Sequence, residues 1–391
     1  MLFRSLTVRT IGVRGAPWRA RVDGRGTVIP ADGSASLEWH VAGEERWFSP
    51  ASESTVRQTW IGGTPVCETR MRVGGGDVVQ RVWCTADHGG LTMVEFENES
   101  PASVAVALTR GDLLTAHPVQ AGGPRGIDLP AGSIVLPLAH RSTTRAAISH
   151  SGVSGPLPDG IAGHRQVVSG WETACAAASR VVVPDPVLAA SFVAARCTAL
   201  LGDGADDPAD TVRLGDTHRD SVIGLVDHVQ TRLKAEKRAR VLRWDTRHLL
   251  VASARAAVIL GDETAAGDIG VAWLRLADRP CEPLPQSPPE GQRVVAWTES
   301  VLAAGSPAGG SCTVLPVGIP EGWEGASFEA HGLVADPVRT LSFAVRWHAT
   351  RPALLWEVTG PQGLVLEGGA GNADWHSTAA SGETLLGPVG V

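Results

Sequence analysis

The period of the apolar residues changes twice along this chain, and those changes constrain its fold more than any single motif does. From Leu6 to about Arg180, apolar and polar residues alternate in short runs separated by Gly, Pro, Asn and Asp. Alternation with period two places successive side chains on opposite faces of a pleated strand, so each run reads as a strand with one buried face. In 66–73, Cys67, Thr69, Met71 and Val73 share one face while Glu68, Arg70 and Arg72 share the other. Gly74-Gly75-Gly76 turns the chain into 77–85, Asp87-His88-Gly89-Gly90 into 91–97, and Asn98-Glu99-Ser100-Pro101 into 104–109. These turns predict a meander of four strands. Further strands are expected at 36–41, 55–61, 134–138 and 141–149. Residues 1–180 therefore read as a large antiparallel β-sandwich.

At Asp185 the period becomes helical. Asp185-Pro186 supplies an N-cap and an N1 proline, Leu188, Phe192, Ala195 and Ala199 form one stripe, and Gly202 stops the helix. Val222, Val226, Val229 and Leu233 predict a second helix over 220–234, and Leu249, Ser253, Ala256 and Leu260 a third that begins near Asp245. Asp262 caps a fourth, with Ala265, Ile269, Ala272, Trp273 and Leu276 on its stripe. Residues 181–279 thus form a small helical segment of about four helices. The proline-rich stretch 280–292 reads as a linker. Alternation then returns, with strands expected at 293–299, 312–315, 327–331, 341–347, 353–358 and 364–367. Residues 293–391 are a C-terminal β domain, or strands docked on the helices. The class is α+β, multi-domain and mainly β.

Several functions are excluded or disfavoured by what the chain lacks. Its net charge of −7 gives it no basic excess for tracking phosphates, so nucleic acid is not expected as a partner. No apolar run reaches the roughly 18 residues of a membrane span; the best, 187–195, stops at Arg196. Residues 1–22 carry five arginines and no apolar core of a signal peptide, which points to the cytoplasm. Cys67, Cys84, Cys175, Cys197, Cys281 and Cys312 are scattered without a CxxC pair and read as small buried hydrophobes. No metal and no cofactor is expected: zinc-protease, phosphate-loop, nucleophile-elbow and EF-hand patterns are all missing. Asp203, Asp206, Asp207 and Asp210 cluster, but Pro208 stands where a calcium loop needs glycine, so they read as a solvated loop between helices. Lys234, Lys237, Arg238, Arg240 and Arg243 could bind an anion, but they read instead as a solvated helix C-terminus favoured by its own dipole.

What remains is the placement of tryptophan beside charge. The chain has 13 Trp and no Tyr, so indoles carry the aromatic chemistry. Glu38-Trp39-His40 and Glu44-Glu45-Arg46-Trp47 lie close together, and Arg346-Trp347-His348 and Trp356-Glu357 follow near the C-terminus. An indole face stacks on the apolar face of a sugar ring while nearby polar groups bond its hydroxyls, a mixture that suits an oligosaccharide or polysaccharide ligand. Strand alternation offers the plainer reading, in which each Trp enters a core and its charged neighbour meets water. Trp39, Arg46, Trp47, Trp347, His348 and Trp356 are the candidate substrate-binding residues. Glu45 and Glu357 are the candidate catalytic carboxylates, since glycosidic hydrolysis takes one carboxyl as acid and a second as base or nucleophile.

Segments such as Gly75-Gly76-Asp77-Val78-Val79-Gln80-Arg81-Val82-Trp83 and Ser342-Phe343-Ala344-Val345-Arg346-Trp347-His348 look like those of actinobacterial proteins. The order of β-sandwich, paired helices and terminal strands is similar to that of bacterial glucoamylase-like glycoside hydrolases. The resemblance implies a carbohydrate-associated protein. It departs from that family in its helices, because a complete toroid of about a dozen helices at ordinary lengths needs well over 200 residues. Two functions follow: a protein that binds or processes a glycan in a Trp-lined cleft, or a non-catalytic scaffold for protein interaction descended from such a hydrolase.

Overall fold

The computed structural model describes residues 8–116, 119, 125–202, 207–348 and 351–387. Among them are 22 strands and seven α-helices, an α+β fold whose sheets are mainly antiparallel. The chain divides into two compact units, Met1–Glu172 and Thr173–Val391.

In the first unit a six-stranded sheet runs in the order Leu114–Thr115, Thr143–Ser149, Leu91–Asn98, Gly76–Thr85, Cys67–Val73 and Arg57–Trp60. A four-stranded sheet has the order Ile134–Leu138, Val104–Leu108, Trp39–Gly43 and Arg46–Phe48, and a three-stranded sheet joins Arg9–Gly12, Arg19–Val22 and Val28–Pro30. All three feed one core, with Ile11 and Val22 from the last, Trp39, Val106 and Leu136 from the second, and Met71, Val82 and Phe96 from the first. Each such aliphatic or aromatic side chain contributes about 1.5–3 kcal/mol when fully buried. Cys67, Thr69, Met71 and Val73 are all buried, as their alternation predicts. On the other face Glu68, Arg81, Glu95 and Arg145 stand directly across from one another on four adjacent strands. Arg81 bonds Glu68 at 2.8 Å and Glu97 at 2.7 Å, and Arg145 bonds Glu95 at 2.7 Å. Opposite charges paired this way favour the observed register.

The expected four-strand meander stops at three strands. Val104–Leu108 crosses to the other sheet, between Ile134–Leu138 and Trp39–Gly43. The cause is Asn98, whose buried amide donates to Ala102 O and Leu138 O while its Oδ1 accepts from the Ser100 N–H and hydroxyl. Those bonds build a corner where a hairpin turn was expected.

Trp39–Gly43 and Arg46–Phe48 are joined by a two-residue turn at Glu44 and Glu45, with φ of 51° and 65°. Both values lie in the left-handed region, which costs a residue with a side chain roughly 1–2 kcal/mol and which two-residue hairpin turns normally assign to Asn-Gly. Glu45→Gly is therefore expected to stabilise the first unit by about 1 kcal/mol, raising its melting temperature by about 2–4 °C in calorimetry. A lower melting temperature would contradict this account of the turn.

The helices are α1 (His164–Ala176), in which the division between the units falls, then α2 (Pro186–Leu200), α3 (Pro208–Arg213), α4 (Arg219–Arg238), α5 (Thr246–Ile259), α6 (Glu263–Leu274) and α7 (Arg293–Leu302). In the second unit, one sheet has the order Arg180–Val182, Phe328–Asp336, Arg339–His348, Arg351–Thr359 and Ser381–Leu385. The other has the order Ala303–Gly305, Ser311–Val314, Val365–Gly368 and His376–Ser377, with a parallel pair at its centre. Leu188 and Phe192 of α2 and Val295, Trp297 and Leu302 of α7 pack with Phe328, Leu341, Phe343, Leu354 and Leu366 of the sheets.

Residues 181–279 hold five helices where about four were expected, with α1 before them and α7 after. The Asp185 carboxylate accepts from Val187 N and Leu188 N, as its sequence signature predicts. The same Asp-Pro signature at Asp207-Pro208 begins α3, so the expected solvated loop is a capped helix whose Asp210 is buried; Asp203 and Asp206 lie outside the described residues. The strand expected at 293–299 is α7. Its apolar residues Val294, Trp297, Val301 and Leu302 recur at the i, i+3, i+7 and i+8 spacing of a helix face, a period that shows only past the expected end at 299. Residues 280–292 are bonded to their own unit: Leu242 N donates to Pro280 O at 2.8 Å, Glu282 N to Leu242 O at 2.8 Å, and Trp297 Nε1 to Pro285 O at 2.8 Å.

Candidate functional site

The most unusual chemistry of the second unit is a buried cluster of charges where its helices meet. Arg196 of α2 is fully buried, and each of its five N–H donors has a partner. Two reach the Asp210 carboxylate at 3.1 Å, one reaches Glu299 of α7 at 2.9 Å, and two bond Cys175 O and Ser179 O. The guanidinium also lies 4.4 Å from the Phe192 ring centre. Arg213 of α3 holds both Glu299 oxygens, at 3.0 and 3.1 Å. Ser179 Oγ donates to Glu299 as well, at 2.6 Å. Two guanidiniums thus face two carboxylates in the interior, where each charge is tolerated only because it is paired and hydrogen-bonded. Burial alone would raise the Glu299 carboxyl, but Arg213, His248 and Arg196 outweigh it and hold the group well below the usual carboxylate range.

The fifth hydrogen bond to Glu299 gives the cluster a chemical output. His248, on the first turn of α5 and 7% exposed, places Nε2 2.8 Å from Glu299 Oε2. An ionised carboxylate only accepts, so Nε2 carries the hydrogen. The other ring nitrogen, Nδ1, is buried and has no hydrogen-bond partner. A carboxylate that fixes one ring nitrogen and leaves the other available is the arrangement that orients a histidine for ligand binding or proton transfer.

His248 lines two cavities. The first, about 300 Å³, lies among Trp244, Trp273, Leu284, Val317 and Leu333, with Arg247 and Glu299 also on its wall. Arg247 donates to Gly305 O and Ala304 O, both at 2.9 Å. The second, about 340 Å³, is polar: Arg232, Arg243, Arg293, His228, Asp207 and Asp245 line it. Asp245 lies 2.6 Å from Arg232 and 3.4 Å from both Arg243 and Arg293. Burial would raise Asp245, but the three arginines hold its carboxyl below the ordinary value. Desolvation, and then Asp210, push Asp207 upward.

None of the eight residues singled out in the sequence lines these two cavities. Trp39 is buried in the core of the first unit and donates to Arg25 O at 3.1 Å. Glu45 is an exposed turn residue, Arg46 pairs with Glu53 at 2.8 Å and lies 3.5 Å over the Phe48 ring, and Trp47 donates to Arg125 O at 2.9 Å. These four share one hairpin or its flank in the first unit. In the second unit Trp347 donates to Ala326 O at 2.8 Å and His348 is exposed. Trp356 donates to Ala379 O at 3.1 Å and packs edge-on against Trp375, while Glu357 next to it is exposed. The indole N–H of each of these tryptophans is thus bonded to backbone within its own unit.

The residues that do converge, His248, Glu299, Trp244, Trp273 and the three arginines, come from α4, α5, α6, α7 and the segment before α5. No short motif joins them. The basic run ending at Arg243 was the one visible trace: Lys234, Lys237, Arg238 and Arg240 are exposed as a solvated helix end should be, but Arg243 turns to the polar cavity. Among the described residues no group of three or more His, Cys, Asp and Glu could hold a metal ion. Comparison with known proteins finds no matching family model and no matching curated protein.

Removing the carboxylate tests the cluster. Glu299→Gln leaves Arg196 and Arg213 short of countercharge and is expected to cost about 3–5 kcal/mol in urea unfolding at neutral pH. Because the folded Glu299 sits below its unfolded value, its contribution is fully present above an ordinary glutamate pKa of about 4.3 and is lost as pH falls through the folded value. The wild type should therefore lose stability on acidification more steeply than the variant. Equal stability of the two proteins at neutral pH, or parallel acid profiles, would contradict the assignment.

Proposed function

We propose that the chain is a carbohydrate-associated protein that binds a small saccharide in the cavity walled by Trp244 and Trp273, without hydrolysing it. The observation that supports this most directly is the lining: two indoles and several aliphatic side chains, with polar groups from Arg247, His248, Arg279, Glu282 and Glu299. That mixture matches what a sugar ring presents, an apolar face and a rim of hydroxyls. The volume, about 300 Å³, lies at the small end of ligand pockets and favours a short saccharide over a long chain. In this reading the free Nδ1 of His248 accepts a sugar hydroxyl.

Hydrolysis is set aside on chemical grounds. It requires two carboxyl groups about 5–9.5 Å apart, one of them protonated. The carboxylates on this cavity are Glu282 and Glu299, and Glu299 is held ionised by its cations. The likeness to bacterial glucoamylase-like hydrolases belongs to the same proposal: a first unit read as a β-sandwich precedes helices too few to wall a toroid. A cytoplasmic location is proposed with it; no helix among the described residues is long and apolar enough to cross a membrane.

A panel of mono- and oligosaccharides tested by thermal shift and calorimetry checks the reading. One class of saccharide is expected to bind saturably, adding about 2.7 kcal/mol at 100 times its dissociation constant, and to lose at least tenfold in affinity in Trp273→Ala. No response to any saccharide, or a response unchanged in that variant, would overturn it.

A further inference from the structure

The polar cavity beside His248 has a chemistry that the saccharide reading does not use. Arg232 reaches it from α4, Arg243 from the segment before α5, and Arg293 from the start of α7. Among the described residues the carboxylate they share is Asp245, which Arg232 approaches at 2.6 Å and the other two at 3.4 Å. Arg243 and Arg293 are half-exposed, so most of their N–H donors remain for something else in the same space. Three guanidiniums face the carboxyls of Asp207 and Asp245 on the lining, Asp207 is itself pushed upward by burial and then by Asp210, and Glu236 lies behind the lining, 3.8 Å from Arg232. The cavity carries an excess of positive charge inside a protein whose overall charge is −7.

The backbone adds to that excess. The residues before α5 and α7, Asp245 and Gln292, both line the cavity, and neither supplies a side-chain cap to its helix. The positive ends of two helices of 14 and 10 residues are therefore directed to one place. His248 gives an independent sign that a ligand belongs there. Its side chain is more than nine-tenths buried on the wall of this cavity, yet Nδ1 has no partner, and an orphaned buried nitrogen costs free energy unless something bonds it.

We propose that this cavity binds a phosphate group, held by Arg232, Arg243 and Arg293 at the N-termini of α5 and α7, with His248 Nδ1 accepting from a ligand hydroxyl such as the P–OH of hydrogen phosphate. Guanidiniums arriving from three different elements suit a tetrahedral oxyanion better than a planar carboxylate, which a single arginine fork already satisfies. The phosphate is either the free inorganic ion or an ester carried by an organic molecule. Because His248 also lines the Trp-walled cavity, the organic part of such an ester has an adjoining space of about 300 Å³. The anion site stands without the saccharide reading, since none of its arginines lines that first cavity.

Calorimetric titration of the full chain with inorganic phosphate, with potassium chloride at matched ionic strength, and with glucose 6-phosphate tests the proposal. Phosphate is expected to bind saturably at one per chain, chloride is not, and Arg243→Ala and Arg293→Ala should each weaken phosphate at least tenfold. Both arginines are half-exposed, so the variants should keep the wild-type circular dichroism, and Arg240→Ala, on the exposed basic run, should bind phosphate as the wild type does. Tighter binding of glucose 6-phosphate than of phosphate identifies an ester as the source, while equal binding identifies the free ion; either supports the site. Trp273→Ala should retain phosphate binding even if no saccharide binds. No saturable phosphate binding, a chloride response equal to that of phosphate, or wild-type affinity in both Arg243→Ala and Arg293→Ala would overturn it.

Discussion

The second unit depends on Glu299. One carboxylate of α7 accepts hydrogen bonds from Arg196 of α2, Arg213 of α3, His248 of α5 and the Ser179 hydroxyl. In water these contacts would be worth little apiece. In the interior the alternative to each is an unpaired charge, and that penalty makes the helix arrangement specific. Apolar side chains of similar volume could fill the same space and contribute as much stability, but they would not fix which helix meets which. The all-donor geometry of Arg196 shows the constraint most clearly: Asp210, Glu299, Cys175 O and Ser179 O together use every N–H it has. A shift of α2, α3 or α7 by one residue would strand at least one of these groups.

The cluster also explains why the chemistry collects at the start of α5. His248 is held by its Nε2 and presents Nδ1 without a partner where two cavities adjoin. One cavity is apolar with two indoles; the other is polar with three guanidiniums. Val295, Trp297 and Leu302 pack α7 into the core it shares with the sheets of this unit, so the carboxylate that orients the imidazole is itself mounted on a rigid element.

Where alternation or capping chemistry was explicit, the fold was legible in the residues. The face shared by Cys67, Thr69, Met71 and Val73, the capped start at Asp185 and the helices at 246–259 and 263–274 all follow from period and N-cap rules. Reading stopped where the stretch read was too short to show its period, as in α7, whose helical spacing continues past 299 to Val301 and Leu302, or where a local side-chain bond overrode a turn rule, as Asn98 does at the end of Leu91–Asn98. The site was not legible. Its residues lie on separate helices and none forms a short motif; the tryptophans beside acidic residues in strands line neither cavity, whereas Trp244 and Trp273 line the first. Asp207-Pro208 was readable as a helix start by the rule already applied at Asp185-Pro186, but the expectation of a solvated acidic loop displaced it.

The account turns on one microscopic state: a His248 ring that donates from Nε2 to Glu299 and keeps Nδ1 free. Long-range nitrogen-15 NMR of histidine-labelled protein reads it directly. A single His248 spin system with hydrogen fixed on Nε2 and a lone pair on Nδ1 is the result this structure predicts, with that preference relaxed in Glu299→Gln. Hydrogen on Nδ1 in the wild type, or fast exchange between the two tautomers, would mean that Glu299 does not orient the ring.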